Sequence, residues 1–245
     1  MLKSASIRGV QSVLSARAEA RAAISSGLSP SSGGGALPSL PVGCAAPLWQ
    51  LFQPGQLIEL SGRAPGKLSA VVRLITHAQA EHEPVAWISA RDAACFYPPD
   101  FARAGVDLAA LSVVRLAEDA GAHGLVRAAE VLLRSGAFGL VVIDLMQGVP
   151  RGELSWQARL VGLLRRHDAR AVVLTASTAK EPSLGPLVSL RVEPHFRAST
   201  GARVVLEQTL LKCKLGANAA VSPDTRSVPV GAFKDELPVT LRCGR

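Results

Sequence analysis

A chain of 245 residues with 48% hydrophobic content is long enough to bury a sizeable core. No apolar run approaches the ~20 residues that cross a bilayer, so no membrane span is expected. The net charge of +8 points to an acidic partner such as nucleic acid, while 4% aromatic content leaves too few rings for a base-stacking platform.

Residues 1–24 read as an amphipathic helix. Ile7, Val10, Val13, Leu14 and Ile24 form its apolar side, and Arg8, Arg17 and Arg21 supply cations. Ile7, Val10 and Leu14 stand at i, i+3 and i+7 and are candidate partner-binding anchors. Residues 25–47 are rich in Ser, Gly and Pro, including Ser31-Ser32-Gly33-Gly34-Gly35, and read as a flexible linker. An ordered core is expected over 48–215, opening with Trp49, Leu51 and Phe52, and 216–245 reads as a C-terminal tail.

Within the core, 57–60 is a short apolar strand, and Leu68, Val71, Val72 and Ile75 then recur at helical spacing. Strands are predicted over 85–90, 111–116, 140–143 and 171–175, and helices over 123–135 and 154–166. The alternation implies an α/β fold, a mostly parallel sheet with helices on both faces. Two strands over 187–192 and 203–212 have no helix between them and predict an antiparallel pair at the sheet edge.

Leu57-Ile58-Glu59-Leu60-Ser61-Gly62-Arg63-Ala64-Pro65-Gly66-Lys67-Leu68-Ser69 reads as a phosphate-binding loop that has lost parts. The intact motif, G-x-x-x-x-G-K-[ST], turns backbone N–H groups on phosphate, adds a lysine charge and holds Mg²⁺ with its last hydroxyl. Gly66 and Lys67 are in place. Ser61 stands where the first glycine belongs, with Gly62 one position late; Leu68 stands where the hydroxyl belongs, with Ser69 one position late. Gly139-Leu140-Val141-Val142-Ile143-Asp144 has the form of the second nucleotide motif, an apolar strand ending in a carboxylate that reaches Mg²⁺ or its water. Gly62, Gly66, Lys67, Ser69 and Asp144 are therefore the candidate residues of a vestigial nucleotide site.

These strings, with Leu51-Phe52-Gln53-Pro54-Gly55-Gln56 ahead of the loop, Tyr97-Pro98-Pro99-Asp100-Phe101-Ala102-Arg103-Ala104-Gly105-Val106-Asp107-Leu108 after the second strand, and Leu132-Leu133-Arg134-Ser135-Gly136-Ala137-Phe138 leading into Gly139, resemble the RecA recombinase family over about residues 48–215. The resemblance implies a RecA-like sheet preceded by an N-terminal helix that docks on a neighbouring protomer. It also exposes departures. That family hydrolyses ATP with a glutamate past the second strand, where this chain has Ser89-Ala90-Arg91-Asp92. It senses the γ-phosphate with a glutamine after the 171–175 strand, where this chain has Ala176-Ser177-Thr178. Segments 146–154 and 178–185 replace its two DNA-binding loops in shortened form.

A short, degenerate RecA-like chain resembles the ImuA-type accessory proteins of bacterial damage-induced mutagenesis cassettes, and secondarily the SulA-type division inhibitors. The first resemblance implies a cytoplasmic, non-hydrolysing adaptor in SOS-induced translesion DNA synthesis. No cofactor is required, and ATP is at most a weak ligand. The implied partners are a RecA-type recombinase, an inactive Y-family polymerase homologue (ImuB), an error-prone replicative-type polymerase and single-stranded DNA. The alternatives are a divergent DNA-dependent ATPase or recombinase, and the division inhibitor.

Other sites are weaker. Cys44, Cys95, Cys213 and Cys243 include no pair at metal-ligand spacing and suit a reducing cytosol. His77 and His82 with Glu81 and Glu83 read as a solvated helix end rather than a metal site. Ser135 before Gly136 reads as a helix cap.

Overall fold

The computed structural model describes residues 48–63, 66–150, 152–199, 203–214 and 224–229. The helix and linker expected over 1–24 and 25–47, with Ile7, Val10 and Leu14, lie outside them. A short helix α1 (Leu48–Leu51) leads into β1 (Leu57–Leu60). There follow α2 (Gly66–Ala80), β2 (Val85–Ala90), α3 (Pro98–Arg103), β3 (Leu111–Leu116), a 3₁₀ turn, α4 (Gly121–Arg134), β4 (Leu140–Asp144), α5 (Glu153–Arg166) and β5 (Arg170–Leu174). The last three strands, β6 (Leu190–Ser199), β7 (Arg203–Cys213) and β8 (Asp224–Pro229), have no helix between them.

The eight strands form one sheet in the order β3-β2-β4-β5-β1-β6-β7-β8. The pairs from β3 through β6 are parallel, and β6–β7 and β7–β8 are antiparallel. This is the α/β architecture that the alternation predicts. Strands β1, β4 and nearly all of β2 and β5 are buried, so they read as apolar runs rather than alternating ones.

Side chains still divide by parity. Ile58, Leu60, Trp87, Val142, Val172, Leu174 and Val192 join Val71 and Ile75 of α2 in one core cluster. The alternate residues, Ile88, Val141, Ile143 and Val173, point to the other face, where α4 packs on β2 and β4, and α5 packs on β1. On the α2 side, Trp87, Phe96 and Phe101 pack as a triad with ring centroids 4.6 to 5.5 Å apart.

Helix ends follow local chemistry. Ser135 closes α4, its hydroxyl donating to Leu132 O at 2.6 Å and accepting from Ala137 N at 3.2 Å, as a cap should. Gly136 then takes φ 68°, and a β carbon there would lie 2.9 Å from His167 Nδ1 at the end of α5. Besides the short α1 and the 3₁₀ turn, a helix and a strand were not legible in advance. Helix α3 is only six residues long and starts at Pro98-Pro99, where proline's fixed φ suits the first helical turn. Strand β8 lies within the 216–245 segment read as a tail. No helix among the described residues is long and apolar enough to cross a membrane.

Candidate functional site

Beyond Leu60 the chain passes through Ser61, Gly62 and Arg63 and enters α2 at Gly66. Gly62 has φ 98°, a left-handed conformation that favours glycine, and a β carbon there would lie 2.6 Å from Glu193 Oε1. A β carbon on Gly66 would lie 2.8 Å from the backbone carbon and oxygen of Pro194. Gly66 is therefore required by the close passage of the β6 backbone, and Gly62 by its left-handed φ.

Lys67 is only 5% exposed. Its ammonium donates to the carbonyl oxygens of Gly62 and Thr175, the latter at 2.7 Å, and contacts Met146 Sδ at 2.8 Å. The Gly62 N–H donates to Ser177 O at 2.6 Å, and the Ser61 N–H to Val192 O at 2.9 Å. Of the loop's polar groups, the Lys67 ammonium and the Gly62 N–H are here bonded to the protein's own acceptors.

Asp144 ends β4 and is buried beside this lysine. Burial raises its carboxyl above the usual value, against the opposing pull of the Met146 N–H, the Cys95 thiol and the Lys67 charge. The Met146 N–H donates to Asp144 Oδ1 at 3.0 Å. Asp144 Oδ2 makes no hydrogen bond of good geometry, the weakly donating Cys95 thiol being the polar group beside it. Ser89 Oγ is also buried without a partner. Ile88 pairs with Ile143, so the next step of the register sets Ser89 alongside Asp144.

Lys67 and Asp144 are thus brought together from distant parts of the sequence. Leu68 packs against the core cluster. Ser69, half-buried, stands two positions past Lys67, about 200° further round the helix. Arg91 is exposed, and its backbone N–H donates to Leu116 O at 2.7 Å. Asp92 accepts from Gln147 Nε2 at 3.1 Å.

A second polar cluster lies on the α5 side of the sheet. Glu59, fully buried, accepts from Thr175 Oγ1 at 2.9 Å, Ser183 Oγ at 3.1 Å and Leu184 N at 2.9 Å. Arg191 Nε lies 3.6 Å from Glu59 Oε1 and donates to Ser61 Oγ at 3.1 Å. Its terminal nitrogens donate to Glu181 O at 2.6 Å and Thr178 O at 2.7 Å. Gln157 of α5 donates to Leu184 O at 2.8 Å and accepts from Leu187 N at 3.3 Å. Lys212 Nζ donates to Gly185 O at 2.7 Å; burial, then the neighbouring Lys214 charge, lowers its pKa, with Glu59 pulling the other way. Segment 176–187 is therefore fastened from within, on top of the phosphate loop. The signal in the sequence was a charge inside an apolar run, Glu59 in Leu-Ile-Glu-Leu and Arg191 in Leu-Arg-Val, since such charges are rarely buried unpaired.

His77 stacks on Trp49, with ring centroids 4.2 Å apart. Among the described residues no three His, Cys, Asp or Glu side chains gather into a group that could hold a metal ion. Cys95 and Cys213 are half-buried thiols outside any disulfide.

No protein-family model matches the chain. It is similar to Protein RecA of Nocardia farcinica (strain IFM 10152), with 34% identity over 137 residues, 51% of this chain and 38% of that protein. It is also similar to Protein RecA of Nocardioides sp. (strain ATCC BAA-499 / JS614), with 37% identity over 106 residues, 42% of this chain and 29% of that protein. The matches span well under half the length of these curated relatives. Together with the mostly parallel sheet and its antiparallel C-terminal strands, they support a RecA-like superfamily relationship, and the fold is RecA-like.

Proposed function

We propose that this chain is a non-hydrolysing RecA-like adaptor. It acts by protein contacts with a RecA-type recombinase and with polymerase components of damage-induced translesion synthesis, in the manner of the ImuA-type proteins it resembles. Those components are an inactive Y-family polymerase homologue and an error-prone replicative-type polymerase. The observation that carries the reading is the internal use of the loop: Lys67 is bonded to Gly62 O and Thr175 O, and the Gly62 N–H to Ser177 O.

Phosphoryl transfer to water needs a positioned nucleophile and charge stabilisation by Mg²⁺ and cations. As arranged, these residues do not fit a Mg²⁺-nucleotide. Leu68 offers the metal no oxygen, Arg91 replaces the base, and Ser177 gives its carbonyl to the loop. One observation favours a second reading, nucleotide binding without turnover: Asp144 Oδ2, beside Lys67, and Ser89 Oγ, on the neighbouring strand, are buried and make no hydrogen bond of good geometry.

Steady-state phosphate release with Mg-ATP, with and without single-stranded DNA, tests the proposal. The expected result is release at the background of a no-protein control, with purified recombinase or polymerase components retained on the immobilised full chain. Turnover comparable to an active recombinase would overturn the adaptor reading. Saturable binding of a fluorescent ATP analogue without release would select the second.

A further inference from the structure

We propose that the outer face of α4 and α5 binds the phosphate backbone of nucleic acid, on a surface separate from the phosphate loop. The two helices connect successive parallel strands, so they run in the same direction, side by side on one face of the sheet. Arg159 Nε meets Glu130 Oε1 at 2.8 Å between them, and Gly136 abuts His167 where both end.

Their inner sides are apolar: Leu125, Val126, Ala129 and Leu133 on α4, Trp156, Leu160 and Leu164 on α5. Their outer sides carry Arg127, Arg134, Arg165 and Arg166, all exposed. None of these four forms an ion pair among the described residues. Arg127 and Arg134 are seven residues apart, about 10 Å along the axis. Neighbouring helix axes lie roughly 8–10 Å apart. The arginines therefore cover a patch broad enough for several phosphates.

The two helices carry two carboxylates, Glu130, already held by Arg159, and Glu153 at the first position of α5, and Asp168 follows the end of α5. Basic residues in a last helical turn offset the helix dipole. That accounts for Arg134, Arg165 and Arg166, but not for Arg127, two turns before Arg134. Arginine suits phosphate because its planar fork donates to two oxygens at once. A protein partner fits less well. The exposed large apolar residues of these helices, Val131 and Leu154, lie near opposite ends of the pair and make no common anchor.

The segments after β4 and β5 offer no comparable surface. In sequence, 145–152 carries a single cation, Arg151, and 176–187 a single one, Lys180, beside Glu181 on a backbone already fastened by Arg191 and Gln157. The proposal is independent of the adaptor reading, because neither phosphate release nor a protein partner enters its test.

The test is fluorescence anisotropy of the full chain with labelled oligothymidylate and with a labelled duplex, across a salt series. Combined Arg127→Gln, Arg134→Gln and Arg166→Gln should weaken binding at least ~10-fold and flatten the log affinity against log salt slope by about 2, one contact being worth about 0.7–0.9. Arg165 is left alone because its stem packs against Gly55. A thermal melt of the triple variant should match the parent, since all three side chains are exposed. Arg63→Gln with Lys180→Gln, on the loop side, should leave binding unchanged. Parent-like binding by the triple variant, or loss in the loop-side variant instead, would overturn the proposal. So would equal competition by polyglutamate at matched charge, which would assign the face to an acidic protein.

Discussion

Gly66 shows how much one missing carbon matters. The position of its absent β carbon is filled by the Pro194 backbone at 2.8 Å, and backbone cannot swing aside as a side-chain tip does. Gly66→Ala should cost roughly 1–3 kcal/mol by overpacking. Gly162, in α5, has nothing within 4 Å of the same position, and Gly162→Ala should gain up to about 1 kcal/mol from helix propensity. Urea midpoints of the two variants check the contrast, and equal effects would contradict it. Asp144 gives a pH signature. Its carboxyl is held above its ordinary value mainly by burial, so the folded state keeps a proton that the unfolded chain releases. Stability from this group is therefore highest below the unfolded pKa and falls as pH rises toward the folded one. Asp144→Asn should raise the melting temperature at neutral pH, and the gain should shrink on acidification toward pH 3.8. A variant less stable than the parent at pH 7 would show that the Lys67 attraction outweighs burial. Lys67 and Asp144 were legible as a pair because motif spacing names them. Their bonding was not, because the acceptors Thr175 and Met146 lie about a hundred residues away, as the separations of 108 and 79 attest.

Segment 176–187 and strand β6 belong together. Glu59 and Arg191 tie the segment to the sheet, and their replacement should loosen it as a unit. Arg191→Met leaves Glu59 buried without its cation, which should cost about 3–5 kcal/mol. Adding Glu59→Gln should return part of that loss. Amide exchange at Leu184, whose N–H donates to Glu59, should accelerate in the single variant and not at Val142 in the core. Uniform acceleration would mean global destabilisation instead. The same segment explains an offset in the sequence reading. The strand expected from 187 begins at Leu190, because the side-chain amide of Gln157 takes the backbone groups of Leu184 and Leu187 that a sheet neighbour would otherwise take. Periodicity locates an apolar run but not a side-chain amide that competes for its backbone. The helices α4 and α5 fell within two residues of expectation because one buried face fixes their pattern.

At the scale of the molecule, the parallel order of β3 through β6 follows from strands separated by helices, which forces crossover connections. That much was written in the alternation. The buried Glu59–Arg191 pair was not, since it joins two strands 132 positions apart in sequence that meet only once the sheet is assembled. The orphaned Ser89 Oγ was equally invisible. Lys67 carries a further consequence for anyone probing this loop. Mutating such a lysine to alanine is a common way to silence a nucleotide site while keeping the protein intact. Here that substitution would strip the carbonyls of Gly62 and Thr175 of a buried donor and undo the junction between β1, α2 and β5. A lost phenotype in that variant would report on misfolding as readily as on chemistry. The lysine can therefore be retained by selection for architecture alone, and a Gly-Lys pair in such a chain is a poor guide to whether the ancestral reaction survives.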